Sequence, residues 1–186
     1  MLTTPRKFIV QNRYSIAVFV LLNVACAMCI GLVFARVAYT ESGRHLGLIW
    51  NLFLAWLPLL FSMRLCGLEE RGALRPWKFT GLLRAWMAFF PTAPYIFTDL
   101  VHLHRGRNQH FWVDMILILL CALNGFLLGF LSLYLVQSVV ARRFGYWPGW
   151  GLVLLMAGLS GCGVYIGRFL RWNSWDALIA PVSLLA

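Results

Sequence analysis

The chain has 186 residues, of which 61% are hydrophobic and 12% charged, and its mean hydropathy is +0.77. A soluble domain carries about 25% charged residues. The composition therefore excludes an ordinary water-facing globular enzyme, a disordered chain, a collagen-like chain and a disulfide scaffold. It predicts an integral membrane protein.

The charge is strongly basic, with sixteen Lys and Arg against six Asp and Glu and a formal net charge of +10. The basic residues stand almost wholly between apolar runs, where each can gain about 1 kcal/mol from anionic lipid headgroups. No basic motif interleaved with exposed aromatic residues is present, so nucleic acid is not expected as a partner. The expected partners are the bilayer and its anionic headgroups.

Five long apolar runs follow one another along the chain. A helix needs about 20 apolar residues to cross the hydrocarbon core, and only helices or closed barrels satisfy their backbone there. The runs do not alternate, which excludes a barrel. We therefore predict an all-α, polytopic transmembrane helical bundle in a single domain, 1–186, with spans at 14–37, 46–63, 79–97, 115–140 and 149–167.

The third run is the least regular, because Arg84 lies within it and Pro91 and Pro94 remove backbone donors near its far end. A kinked or re-entrant segment is the alternative to a full span. The span is favoured because the long side chain of Arg84 can extend to the headgroups.

The distribution of Lys and Arg predicts the orientation. The loop at 64–78 carries four basic residues, more than any other loop, and the segments on its side of the membrane hold nine against six. Since cytoplasmic loops are richer in Lys and Arg, the N-terminus is expected in the cytoplasm of a cell with this protein in its cytoplasmic membrane. The first run has no small-residue cleavage site followed by polar sequence, so we expect it to remain as a span.

The five cysteines lie mostly inside apolar runs and are expected to be buried without a disulfide framework. Cys26 and Cys29 have the spacing of a redox or metal pair, but no His follows them and no strand precedes them. They are therefore interpreted as small packing residues.

Most of the unusual polar residues belong to one face of the membrane. The predicted topology brings the end of the third span, the start of the fourth and the end of the fifth to the outer face, and Asn51 enters from the same side. The polar residues at these positions are Thr98, Asp99, His102, His104, His110, Asp114, Asn124, Arg168, Arg171, Asn173 and Asp176.

Two acid and histidine pairs have helical spacing, Asp99 with His102 and His110 with Asp114. If the two pairs converge, they suit a divalent metal such as zinc, or an Asp that orients a His acting as general base. A nucleophile could come from Thr98 or Ser174. The catalytic candidates are thus His102, His110, Asp99, Asp114 and Thr98, and the metal candidates are Asp99, His102, His110 and Asp114.

Arg168 and Arg171, three residues apart, could hold one phosphate or carboxylate between two guanidinium groups. The ligand-binding candidates are Arg168, Arg171, Asn173, Asp176 and Asn51. The structural alternative is that Asp99 and Asp114 pair with these arginines and fix helix packing, with solvated histidines. Tryptophans beside the arginines are then interface anchors.

Small residues predict close helix packing. Gly125 and Gly129 have the spacing of a close-packed helix face, and glycines recur from Gly158 to Gly167. The partner helix can belong to this chain or to a second copy, so oligomerisation through these faces stays open. Asn124 is expected to donate an interhelical hydrogen bond.

Four blocks of sequence resemble a bacterial membrane family known as domain-of-unknown-function family 1361. The blocks are NLFLAWLP at 51–58, PTAPYIFTDLVHL at 91–103, WVD at 112–114 with ALNG at 122–125, and GRFLRWNSWD at 167–176. The resemblance implies a multi-pass bacterial membrane protein and no assigned activity. The resemblance marks ten residues of this chain as family motif positions but assigns them no roles. They are Asn51, Pro94, Asp99, His102, Asp114, Asn124, Arg168, Arg171, Asn173 and Asp176.

The chain departs from the family pattern at two places. The pattern has Asn where this chain has Thr92, and it continues into another hydrophobic helix after the last block. The resemblance therefore implies that a C-terminal helix of the family is lacking here.

Three functions remain open from the sequence. The first is a non-enzymatic membrane component that binds a lipid headgroup or a small anionic solute. The second is a membrane-embedded hydrolase or acyltransferase that acts on lipid. The enzyme would be metal-dependent if the Asp and His candidates bind a divalent metal. The third is a transporter, which is disfavoured because no charge lies deep in the predicted bundle.

Overall fold

The computed structural model describes residues 5–41, 43–105 and 111–168, and every regular element in them is helical. The described residues form six α-helices and two 3-10 helices. They are α1 (Pro5–Thr40), a 3-10 helix (Gly43–His45), α2 (Leu46–Glu70), α3 (Pro76–Phe89), α4 (Thr92–Tyr95), a 3-10 helix (Ile96–Arg105), α5 (Phe111–Phe144) and α6 (Tyr146–Arg168). The predicted all-α membrane bundle is confirmed.

Three of these helices are long and apolar enough to cross a membrane within the described residues: α2, α5 and the Ile16–Thr40 part of α1. The 34 residues of α5 rise about 50 Å at 1.5 Å per residue, which exceeds a hydrocarbon core of roughly 30 Å. α6 has 23 residues and contains the fifth predicted span.

The third predicted span differs from a continuous helix over 79–97. α3 ends at Phe89, and the chain continues through the single turn of α4 into the 3-10 helix. The break follows from Pro91 and Pro94, each of which lacks the backbone N–H that would continue the helix. The amide of Ala93 compensates by donating to Phe90 O, three residues back, at 3.2 Å. The kinked form considered above describes this segment.

Glycines with positive φ end two of the helices. Gly72 (φ +63°) follows α2, and its amide donates to Glu69 O at 3.0 Å, so the left-handed residue caps the helix. Gly145 (φ +102°) forms the connection between α5 and α6 by itself. This short connection turns α6 back along α5, so the two helices run antiparallel.

The core consists of two apolar clusters. One lies where α1, α2, α4 and α5 meet, and its residues include Leu52, Leu59, Ala93 and Leu128. The other lies where α2, α3, α5 and α6 meet, around the fully buried Trp86, whose indole Nε1 donates to Ser132 Oγ at 3.3 Å. α5 contributes to both clusters and is therefore the central helix of the bundle.

α4 packs closely on the small-residue face of α5. A Cβ added at Gly125 would lie 2.5 Å from Ile96 Cδ1, and one added at Gly129 would lie 2.8 Å from Ala93 Cβ. The predicted close packing is therefore confirmed, and the partner at these two positions belongs to the same chain. A Cβ at Gly158 or Gly161 of α6 would meet nothing within 4 Å.

Candidate functional site

Charged and amide side chains from four parts of the chain meet at one end of the bundle. α1 ends there, α2 and α5 begin there, and the 3-10 helix at Ile96–Arg105 passes between them. We call this group of side chains the polar end cluster, and its described members are Arg36, His45, Asn51, Asp99 and Asp114.

An ion pair forms the centre of the polar end cluster. Arg36 Nε donates to Asp114 Oδ1 at 2.6 Å, and the side chains are only 10% and 3% exposed. His45 Nε2 lies 3.7 Å from the same carboxylate oxygen. A carboxylate buried in an apolar bundle needs such a partner, because an unpaired charge there is strongly unfavourable. The pair joins the end of α1 to the first turn of α5.

A second polar contact joins α2 to the 3-10 helix. The amide nitrogen of Asn51 donates to Asp99 Oδ2 at 2.9 Å. The prediction that Asn51 enters from the side of Asp99 and Asp114 is thus confirmed. Thr98 precedes Asp99, and its hydroxyl donates to Tyr95 O at 2.7 Å. The hydroxyl of Thr98 is therefore engaged in local helix structure.

Several predicted site residues lie partly or wholly outside the described residues. His102 and Arg168 belong to described helices, but their side chains are not described. The residues His110, Arg171, Asn173, Ser174 and Asp176 fall entirely outside the described ranges. The acid and histidine site thus stays a prediction.

No metal-binding group of three or more His, Cys, Asp or Glu side chains is found within the part of the chain that the structure describes. Of the predicted metal ligands, only the side chains of Asp99 and Asp114 fall in that part. Each of these two carboxylates already accepts a hydrogen bond from an arginine or an asparagine.

Asp114 has an arginine partner that was not predicted from the sequence. It pairs with Arg36 from the first helix. The side chains of Arg168 and Arg171, the partners in the structural alternative, lie outside the described side chains, so that alternative stays a prediction. Arg36 entered the sequence-based predictions only as one of the basic residues that set the orientation, and His45 was not among the candidate site residues. The available signal was that Arg36 is the one Asp, Glu, Lys, Arg or His between Tyr14 and Thr40. A single arginine in a spanning helix calls for a buried acid.

The opposite end of the bundle has its own ion pair. Arg143 Nη2 lies 2.8 Å from Glu69 Oε2 and also donates to Leu74 O at 2.7 Å. The guanidinium carbon of Arg143 lies 5.2 Å from the ring centroid of Phe79. These contacts join the end of α5 to the connection between α2 and α3, and the pair is partly exposed.

The interhelical hydrogen bond expected from Asn124 is absent within the described residues. Both side-chain polar atoms of Asn124 are buried there without a hydrogen-bond partner. The amide lies in the apolar core beside Cys29. The prediction is wrong: the neighbour from α1 is the thiol of Cys29, and a thiol is a weak hydrogen-bond partner.

Comparison with known proteins gives one result. The family model described as "Protein of unknown function (DUF1361)" matches residues 50–186, which is most of the chain. No curated protein and no solved structure matches. The match covers Asn51, Asp99 and Asp114 of the polar end cluster. The chain belongs to the DUF1361 family.

Proposed function

We propose that this protein is a non-enzymatic membrane component that binds an anionic group at the polar end cluster. The group would be the phosphate or carboxylate of a lipid headgroup or of a small solute. The supporting observation is the geometry of Arg36, whose hydrogen bond to Asp114 uses Nε. A guanidinium has five N–H donors. Within the described residues the two terminal nitrogens of Arg36 make no hydrogen bond, so four donors remain for an incoming acceptor.

The basic residues at the end of α6 extend this proposal. α6 turns back at Gly145, so its C-terminal end points toward the end of the bundle where α5 begins. Arg168 ends the described helix and Arg171 follows three residues later. In the proposal these two guanidinium groups join Arg36 around one anion. Planar guanidinium groups suit this task because each can bind two oxygens of a phosphate or carboxylate.

Lipid retention tests the proposal. The full chain is incorporated into vesicles of equal parts phosphatidylglycerol and phosphatidylcholine, extracted in mild detergent, and its bound lipid is quantified by native mass spectrometry. We expect retained phosphatidylglycerol to exceed phosphatidylcholine several-fold. The ratio should fall toward one in Arg168→Gln combined with Arg171→Gln. Arg142→Gln is the matched control, because Arg142 is an exposed arginine near the opposite end of the bundle.

A second arm distinguishes a lipid headgroup from a free solute. Inorganic phosphate is titrated against the detergent-purified protein by calorimetry. Binding of phosphate that the double variant loses, without lipid selectivity, assigns the site to a solute. Lipid selectivity without phosphate binding assigns it to a headgroup. Neither selectivity nor phosphate binding in the wild type, or an equal loss in Arg142→Gln, would overturn the proposal.

A further inference from the structure

Two cysteines from different helices meet in the apolar core. Cys29 of α1 is 4% exposed and Cys121 of α5 is 1% exposed, and their side chains are in contact. Cys26, one helical turn before Cys29, belongs to the same cluster. The spacing of Cys26 and Cys29 suggested a pair within α1, whereas the fold places a cysteine of α5 against Cys29.

The surroundings of this thiol pair are more polar than its position in the bundle suggests. Asn124 lies one turn after Cys121 and beside Cys29, is 3% exposed, and has no hydrogen-bond partner within the described residues. The indole Nε1 of Trp56 lies 3.3 Å from Cys26 Sγ and donates to it. A buried amide without a partner costs about 1–3 kcal/mol. This amide is therefore a buried polar group that lies beside the thiols and can interact with a ligand held there.

The number of side chains available as ligands restricts which species can bind beside the thiols. Structural zinc takes four ligands, and the described residues hold no group of three or more metal-binding side chains. A soft monovalent cation such as Cu(I) prefers thiolate sulfur and is satisfied by two thiolates in a linear arrangement.

We propose that Cys29 and Cys121 form a two-coordinate site for Cu(I). Binding replaces the two thiol protons: both protons leave, two sulfur–copper bonds form, and the oxidation state of copper and sulfur does not change. The resulting site carries one negative charge. The unpartnered amide of Asn124 can donate an N–H to a ligating sulfur and so offset this charge in the apolar core. The site is independent of the anion binding proposed above.

Copper retention tests the proposal. The full chain in detergent is reduced with ascorbate under anaerobic conditions, loaded with Cu(I), and challenged with a chromogenic Cu(I) chelator. We expect the wild type to keep one copper per chain and Cys29→Ser and Cys121→Ser to keep only background copper. Cys66→Ser and Cys162→Ser are matched controls, because these thiols lie outside the cluster, and both should keep the wild-type amount. Since binding releases protons, retention should increase with pH.

X-ray absorption at the copper edge tests the coordination without any substitution. Two sulfur neighbours in the loaded wild type would support the site. Three sulfur neighbours, or nitrogen or oxygen neighbours, would overturn the assignment to Cys29 and Cys121. Absence of retained copper would also overturn it, as would equal loss in Cys162→Ser or a disulfide between the two cysteines in the loaded sample. Gel filtration and thermal unfolding of each variant establish that a loss of copper does not reflect a loss of folding.

Discussion

The hydroxyl of Thr92 lies 3.3 Å from the carbonyl oxygen of Leu54, which has no helical donor because Pro58 stands four residues later in α2. The same hydroxyl lies 2.6 Å from Phe89 O, at the end of α3. Thr92 therefore serves one carbonyl inside α2, which Pro58 leaves without its helical donor, and one carbonyl at the end of α3. Its proton is shared between them, since a hydroxyl has only one.

Replacing Thr92 tests this role. We expect Thr92→Val to lower the free energy of unfolding by about 0.6–1.7 kcal/mol, the range found for hydrogen bonds between membrane helices. Thr92→Asn should retain the wild-type stability or exceed it, because its amide brings two donors. Unfolding in mixed micelles measures both. Thr80→Val is the control, since Thr80 bonds only within the exposed first turn of α3. Equal effects of Thr92→Val and Thr80→Val would contradict the prediction.

The close approach of α4 to α5 should make the two glycines intolerant of a methyl group. Gly129→Ala is expected to cost about 1–3 kcal/mol by overpacking, because its new Cβ would meet Ala93 Cβ, which moves only with the backbone. Gly158→Ala and Gly161→Ala should be neutral or stabilising by up to about 1 kcal/mol, since open space surrounds them. Thermal unfolding in detergent compares the four proteins. A Gly129→Ala variant as stable as Gly158→Ala would refute the packing described here.

The ion pair of Arg36 and Asp114 should matter more than that of Arg143 and Glu69. Arg36→Met leaves a buried carboxylate and is expected to cost about 3–5 kcal/mol. Combining it with Asp114→Leu should recover much of that loss, because the buried carboxylate is then removed together with its arginine. Glu69→Gln breaks the partly exposed pair and should cost at most about 1 kcal/mol. A double-mutant cycle of unfolding free energies provides the measurement, and additive effects of Arg36→Met and Asp114→Leu would contradict the coupling.

The orientation predicted from Lys and Arg can be tested with reporters at the two ends of the bundle. We expect alkaline phosphatase fused after Gln109 to be active outside the cytoplasm, and a fluorescent protein fused after Gly72 to fold in the cytoplasm. The physical reason is the retention of basic loops on the cytoplasmic side during insertion. Exchanging the reporters between the two positions provides the control. Active phosphatase after Gly72 would invert the orientation.

Apolar run length predicts most of the fold. The positions of α1, α2, α5 and α6 follow from it, because a helix is the one way for a single apolar segment to satisfy its backbone in lipid. Pro91 and Pro94 indicated in the sequence that the third span is interrupted near Phe90. They did not indicate whether the helix would kink or end there. Whether a proline kinks a helix or ends it depends on which neighbouring groups satisfy the freed carbonyls. Here the amide of Ala93 donates to the Phe90 carbonyl that Pro94 frees, and the hydroxyl of Thr92 donates to the neighbouring Phe89 carbonyl.

The candidate site could be predicted only in part. The order of the spans places the start of the second span and the end of the third on the same side of the membrane. Topology alone therefore correctly predicted that Asn51 lies on the side of Asp99. The pairing of Asp114 with Arg36 was not predictable in the same way. Several arginines lie near that side of the membrane. The sequence does not show which helix packs against α5, so it does not show which arginine meets Asp114. The contact of Cys29 with Cys121 depends on the same helix neighbourhood.

The ion pair between α1 and α5 also crosses the boundary of the family domain. Asp114 lies within the matched range 50–186, whereas Arg36 lies before it. The segment that the family model matches thus takes one countercharge, Arg36, from a helix that the model does not include. A fragment cut at residue 50 would lack Arg36 and the ion pair that this arginine makes with Asp114. Membership of the family and self-sufficiency as a folding unit are therefore different properties in this protein.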